Sequence, residues 1–139
     1  MFNAVVVRKS ASNVSYKVET VDESYLSKGD VLVKVVYSSI NYKDMLALQY
    51  NGGVIRDYPM IPGIDFAGIV ESSSNDKFKE GDNVLVTGYD VGVTHTGGFS
   101  EYAHKCLESG LFLFPKKCLL KSLWYMAQPV LRQHYQFLN

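Results

Sequence analysis

The chain has 139 residues, of which 47% are hydrophobic and 20% charged, and its 14 basic and 14 acidic side chains balance to zero net charge. These values are typical of one globular domain with a sizeable core. With no basic tract and no apolar run of membrane-spanning length, composition argues against nucleic acid and membrane as partners. The apolar N-terminus precedes its positive residues, the reverse of a signal peptide, so we expect a cytoplasmic protein.

The first forty residues predict three strands. Residues 3–8 are largely β-branched and residues 15–19 alternate with period two, so these segments predict two strands joined by a polar turn. After a Gly-Asp turn, residues 31–38 are apolar on both faces for much of their length, which is typical of a central strand.

A short helix is expected next. Asn41 or Ser39 can cap its N-terminus, and Asn51-Gly52-Gly53 can end it, because glycine tolerates the left-handed geometry of a C-terminal cap. The apolar positions that suit a short helix here are Met45, Leu46 and Leu48.

The second half of the chain predicts more short strands. Pro59 and Pro62 exclude helix around them, because proline restricts the preceding residue to extended conformations. A glycine-rich loop covers residues 88–98, and the alternating or apolar segments that predict strands are 66–71, 83–87 and 99–103. Many short strands with glycine turns and one short helix predict a compact, mainly β barrel.

A polar cluster, Asn41-Tyr42-Lys43-Asp44, stands where the strand 31–38 gives way to the helix. The Asn41 amide can both donate and accept hydrogen bonds, and the Tyr42 hydroxyl can bond a ligand or supply a proton. Lys43 and Asp44 can form a local ion pair that sets the turn. The plainer alternatives are a helix cap for Asn41 and a barrel-edge aromatic for Tyr42.

Asp65 follows two prolines inside an apolar stretch, so a buried carboxylate here must be paired or hydrogen-bonded. A role in a cleft is one interpretation, and a structural hydrogen bond to nearby backbone is the favoured one. Four glycines permit close backbone approach, namely Gly63, Gly68, Gly97 and Gly98. No Gly-x-Gly-x-x-Gly phosphate loop occurs between a strand and a helix in this sequence.

The sequence does not favour a metal site. The two cysteines, Cys106 and Cys118, are too few for a four-cysteine structural zinc site. The three histidines, His95, His104 and His134, show no ligand spacing with them. We therefore expect no metal.

Residues 38–44, Ser-Ser-Ile-Asn-Tyr-Lys-Asp, and residues 58–68, Tyr-Pro-Met-Ile-Pro-Gly-Ile-Asp-Phe-Ala-Gly, resemble a known family. Together they resemble the catalytic domain of the zinc-free medium-chain dehydrogenases/reductases, in the group of acryloyl-CoA reductases (NADPH) and quinone oxidoreductases. The resemblance covers residues 1 to about 117. It implies a GroES-like, partly open barrel, incomplete here and without the Rossmann cofactor domain.

The resemblance also implies chemistry. The parent enzyme would transfer hydride from NADPH to an activated C=C, such as that of an acryloyl thioester or enone, or to a quinone. Tyr42 and Asn41 would be its catalytic and cofactor-facing residues, and Asp65 and Tyr89 would lie on the substrate side. Zinc-bearing relatives carry a cysteine near the place of Asn41 and a histidine near that of Ile64, so zinc is not expected here.

The resemblance ends at Lys117, and all fourteen acidic residues lie within the first 108 positions. Back-translating residues 118–139 and restoring one adenine after the codons of Lys116 and Lys117 yields the family's Tyr-Gly-Thr-Ala-Gly-Phe-Thr-Ala-Ala segment. We therefore expect a frameshifted tail. The alternative is a native helix over residues 119–128 that ends at Pro129.

A chain that ends this way is expected to be inactive alone, to bind no cofactor and to self-associate through exposed apolar surface. Two other interpretations stay open. One is a reductase subunit completed by a separate cofactor-domain chain, and the other is a GroES-like interaction module.

Overall fold

A computed structural model describes residues 1–88, 90–105 and 110–114. Tyr89 and the whole predicted tail, residues 118–139, lie outside the described residues. In the described part, a 3-10 turn at Glu23–Tyr25 and one short helix, α1 (Tyr42–Ala47), accompany seven strands. The strands are β1 (Phe2–Lys9), β2 (Val14–Val21), β3 (Val31–Ser38), β4 (Asp65–Ser73), β5 (Asn83–Thr87), β6 (Tyr102–Lys105) and β7 (Leu111–Phe114).

The strands form two sheets in which neighbouring strands are antiparallel. β1 and β2 make a two-stranded sheet, and the other sheet has the order β6-β3-β4-β5-β7. Isolated bridges join β1 to the rest of the molecule, from Ala4 to Ser100 and from Val7 to Met60. The architecture is mainly β and not closed, which confirms the predicted partly open barrel.

The main core lies on one face of the five-stranded sheet. Alternate residues of β3, β4 and β5 point into it, because successive side chains of a strand face opposite sides. Each fully buried valine or phenylalanine stabilises the fold by about 1.5–3 kcal/mol. The buried members from these three strands are Val31, Val33, Phe66, Val70, Val84 and Val86.

The predicted strand at 99–103 begins later than expected, at Tyr102. Residues 99–101 pair elsewhere: the Val5 amide donates to the Phe99 carbonyl at 2.8 Å, and the Glu101 amide donates to the Asn3 carbonyl at 3.0 Å. The segment therefore bonds to β1 before it joins β3. The strand β7 was not predicted, whereas the strands at 31–38 and 83–87 are confirmed with their bounds.

The predicted short helix is present as α1. Met45 is 55% exposed, and the buried residues of α1 are Asp44 and Ala47. The Asp44 carboxylate bonds to backbone inside the fold. The helix also ends at Ala47, before the glycines expected to end it.

In the described residues no helix is both long and apolar enough to cross a membrane.

Candidate active site

The turn that follows β3 is held by a side chain from the first turn of α1. Asn41 is extended (φ −108°, ψ 162°) and is the N-cap residue of the helix. Its backbone amide donates to the Asp44 carboxylate at 2.8 Å, as in a capping box, so an amide that the helix cannot satisfy has a partner. The helix start is therefore fixed by Asp44.

Asp44 also ties the helix to the segment before β4. Its second carboxylate oxygen accepts from the Ile64 backbone amide at 3.0 Å, and the side chain is only 1% exposed. Burial raises the pKa of Asp44, while the backbone hydrogen bonds from Asn41 and Ile64 oppose that rise. The expected Lys43–Asp44 ion pair does not form. Lys43 is exposed, and Asp44 is satisfied by these amides.

Asn41 and Asp65 lie within hydrogen-bond distance of each other. The Asn41 side-chain amide donates to the Asp65 carboxylate at 3.1 Å and to the Ser39 hydroxyl at 2.9 Å. The other carboxylate oxygen of Asp65 accepts from the Gly88 amide at 3.1 Å. The predicted hydrogen bond from Asp65 to backbone is thereby confirmed.

Tyr42 stands outside this network. It is the first residue of α1 and is 69% exposed, and its hydroxyl has no hydrogen-bond partner among residues 1–88, 90–105 and 110–114. The turn therefore presents a tyrosine hydroxyl without a described partner directly after an asparagine whose side-chain nitrogen is already bonded. Tyr89, the fourth predicted site residue, lies outside the described residues.

The wall beside the site depends on a glycine. Gly63 has φ +103°, and a Cβ atom there would lie 2.7 Å from the Phe99 amide nitrogen and 2.9 Å from that of Gly98. The Gly98 amide donates to the Gly63 carbonyl at 2.9 Å. Only glycine fits this close approach, which confirms the expectation for Gly63.

Sequence reasoning missed Ser39 and an apolar groove beside it. Ser39 is 5% exposed, and its only sequence signal was its place among the possible caps of α1. The groove has a volume of about 660 Å³ and is lined by residues from five separate parts of the chain, so no local pattern signals it. It shares Ser38 and Ile40 with the turn that leads to Asn41, and its other apolar walls include Val5, Leu48 and Phe99.

Among the described residues, no group of three or more His, Cys, Asp or Glu side chains is close enough to hold a metal ion. The two carboxylates nearest the turn are already engaged, Asp44 with backbone amides and Asp65 with Asn41 and Gly88.

Asp44→Asn tests the burial of this carboxylate. Because the folded pKa is raised above the unfolded value of about 3.9, ionised Asp44 costs stability above its folded pKa, and this cost disappears as pH falls through it. We expect the variant to lose about 1–3 kcal/mol, since one amide loses its acceptor. The deficit relative to the unchanged chain should be larger near pH 4 than at pH 7, as measured by urea denaturation.

Asp22→Asn is the matched control. The Ser24 side chain and backbone lower the pKa of the exposed Asp22 carboxyl, so its stabilising contribution is lost as pH falls through the folded pKa. The pH trend of this variant should therefore have the opposite sign. A deficit for Asp44→Asn that is constant with pH would contradict a buried, ionised carboxylate.

The Alcohol dehydrogenase GroES-like domain family matches residues 27–115. The chain belongs to this family. It is also 50% identical over 103 residues to YhfP of Bacillus subtilis, which carries a provisional quinone oxidoreductase name, and 46% identical over 106 residues to the acrylyl-CoA reductase AcuI of Ruegeria pomeroyi. These matches cover 74% and 75% of this chain, and 31% and 32% of the relatives.

Solved structures show the same relationship. The structure of Escherichia coli YhdH with bound NADPH has a TM-score of 0.76 and 44% identity over 81% of this chain and 35% of YhdH. YhfP with bound NAD has a TM-score of 0.80 and 46% identity over 86% of this chain and 36% of YhfP. The predicted membership of the medium-chain dehydrogenases/reductases is confirmed, and the chain spans about a third of the length of these relatives.

Proposed function

We propose that this chain forms the substrate-facing catalytic domain of an NADPH-dependent reductase that acts on an activated C=C, as in acrylyl-CoA or an enone, or on a quinone. The observation that carries the proposal is the exposed, unpartnered Tyr42 hydroxyl beside the bonded Asn41–Asp65 pair. Its support is the 46% identity to an acrylyl-CoA reductase.

The residues of the turn fit a nicotinamide ring and an acceptor. Tyr42 offers a hydroxyl at the surface, and the partly exposed Asn41 offers its side-chain oxygen. The adjoining groove is lined mainly by apolar atoms. Bound NADPH would supply the hydride. Tyr42 would hold the acceptor's oxygen and is the candidate proton donor, while Asp65 would position Asn41. Tyr89 keeps its proposed place on the substrate side.

No metal takes part in this proposal, because the carboxylates near the turn are bonded to backbone and to Asn41. Turnover would require the two thirds of the relatives' length that the match does not include, so we expect the 139 residues alone to be inactive and to bind no NADPH. The domain bounds 1–117 and 118–139, the frameshift, self-association and a cytoplasmic location stay predictions.

A chimera tests the proposal. Residues 1–114 of this chain would replace the matching N-terminal part of AcuI, and NADPH oxidation would be followed with acrylyl-CoA. We expect acrylyl-CoA-dependent turnover from the chimera and none from the 139-residue chain. A folded chimera that binds NADPH but reduces neither acrylyl-CoA nor a quinone would overturn the proposal, and turnover by the 139-residue chain would overturn its expected inactivity.

A further inference from the structure

Both hydrogens of the Asn41 side-chain amide are used within the site. Nδ2 donates to the Ser39 hydroxyl at 2.9 Å and to an Asp65 carboxylate oxygen at 3.1 Å. An ionised carboxylate only accepts hydrogen bonds, so the NH₂ group must face Asp65 and the amide oxygen must point away from it. The orientation of the Asn41 amide is therefore fixed by its neighbours.

A backbone amide on the far side of Asp65 from Asn41 keeps the carboxylate in place. Its second oxygen accepts from the Gly88 amide at 3.1 Å, and the residue is 8% exposed. Rotating the Asn41 amide by half a turn would set its oxygen against this carboxylate, with two acceptors facing each other. Hydrogen bonds to charged groups are among the stronger ones in proteins, so the rotated state is strongly disfavoured.

We propose that Asn41 meets a ligand through its amide oxygen alone, so that this position takes a hydrogen-bond donor such as a primary carboxamide N–H and cannot hold a substrate carbonyl. In the capping box the Asn41 side-chain oxygen faces the backbone amide of Asp44, which takes one of its two lone pairs. Asn41 is partly exposed, so the second lone pair can be reached by a ligand. This inference rests on the proposed function and assigns one part of the ligand to one side chain.

The assignment gives Asn41 and Tyr42 different parts of the ligands to bind. Thioester, enone and quinone carbonyls only accept hydrogen bonds, so they need a donor, which the uncommitted Tyr42 hydroxyl supplies. The carboxamide of a nicotinamide ring carries an NH₂ donor, which the Asn41 oxygen accepts. Asn41 is thus a specificity residue for the cofactor side, and Tyr42 for the acceptor side.

A matched pair of probes tests this on the ¹⁵N-labelled 139-residue chain. Nicotinamide carries an amide NH₂, and methyl nicotinate replaces it with an ester that keeps the carbonyl but donates no hydrogen bond. Titrating each at millimolar concentration while following the amide signals of residues 41–44 by NMR should show nicotinamide binding about tenfold more tightly or better. Asn41→Ala should remove the difference between the probes, whereas Lys43→Ala should keep it.

The outcomes separate this inference from the proposed function. Equal affinities for both probes at residues 41–44 would overturn the inference and leave the site standing. Signals that neither probe moves would also overturn the inference, whereas the proposed function, which expects no NADPH binding by the 139 residues alone, is tested separately by the chimera. A measurement without any ligand covers the case in which Asn41→Ala fails to fold: the side-chain amide protons of Asn41 should exchange with solvent more slowly than those of the exposed Asn51, and equal exchange would overturn the inference.

Discussion

Tyr42→Phe is expected to lower kcat for acrylyl-CoA reduction about 100-fold in the AcuI chimera, the lower end of the usual range for a positioned proton donor. The Asn41 donors are already engaged, so removing this hydroxyl removes the uncommitted side-chain donor next to them. The loss should fall on kcat more than on KM, because a proton donor acts in the transition state. Steady-state kinetics with NADPH in excess measure both constants.

The fold should not change in this variant, because Tyr42 is 69% exposed and its hydroxyl bonds to no other described residue. Tyr50→Phe is the matched control, since the Tyr50 hydroxyl donates to the Ala11 carbonyl at 2.6 Å, away from the turn. The control should retain kcat. A Tyr42→Phe chimera that keeps full kcat would exclude Tyr42 as the proton donor. Tyr42 would then be an aromatic side chain at the barrel edge without a role in the reaction.

The sequence was informative wherever one physical rule decides the outcome. Apolar, β-branched runs between turn residues placed β3 and β5 with their bounds, because such side chains pack well on a pleated sheet. A carboxylate in an apolar stretch predicted that Asp65 would be hydrogen-bonded, because an unpaired buried charge is too costly.

It failed where two rules compete over a few residues. The apolar pattern predicted the short helix but not which of its side chains are buried, because a six-residue helix has too little apolar area to decide its own orientation. The backbone amides of Asn41 and Ile64 donate to the Asp44 carboxylate and hold it inside the fold. The pairing of Asp44 with Lys43 failed for the same reason, because a charge pair at the surface contributes less than satisfying buried amides.

The groove shows a second kind of limit. Val5, Ile40 and Phe99 belong to segments far apart in sequence, and Val5 and Phe99 are joined by the hydrogen bond from the Val5 amide to the Phe99 carbonyl. No local periodicity encodes that contact. The roles of Asn41, Tyr42 and Asp65 come from the family resemblance and stay predictions, and the structure adds the hydrogen bond from the Asn41 amide to Asp65.

Gly63→Ala is expected to destabilise the chain by about 4 kcal/mol, a large share of a typical domain's stability. A Cβ atom here adds two costs, a φ of +103° that L-residues rarely adopt and a contact of 2.7 Å with the Phe99 amide nitrogen. Backbone strain costs about 1–3 kcal/mol and overpacking a similar amount. Urea denaturation of the 139-residue chain measures the loss, and a fall in Tm of about 10 °C or more should accompany it.

Gly81→Ala separates the two costs. Gly81 also has a positive φ, +83°, but a Cβ atom there would have no neighbour within 4 Å. This variant should therefore lose only the backbone term, about 1–2 kcal/mol. Gly63 directly precedes Ile64, whose backbone amide donates to Asp44, and directly follows Pro62, whose carbonyl accepts from the Phe99 amide. Gly63→Ala should therefore also shift the NMR signals of residues 41–44, and Gly81→Ala should not. Equal losses of stability in the two variants would mean that the backbone around Gly63 moves to accommodate a Cβ atom at little cost. A rigid backbone at Gly63 would then not explain the placement of Asn41 and Tyr42.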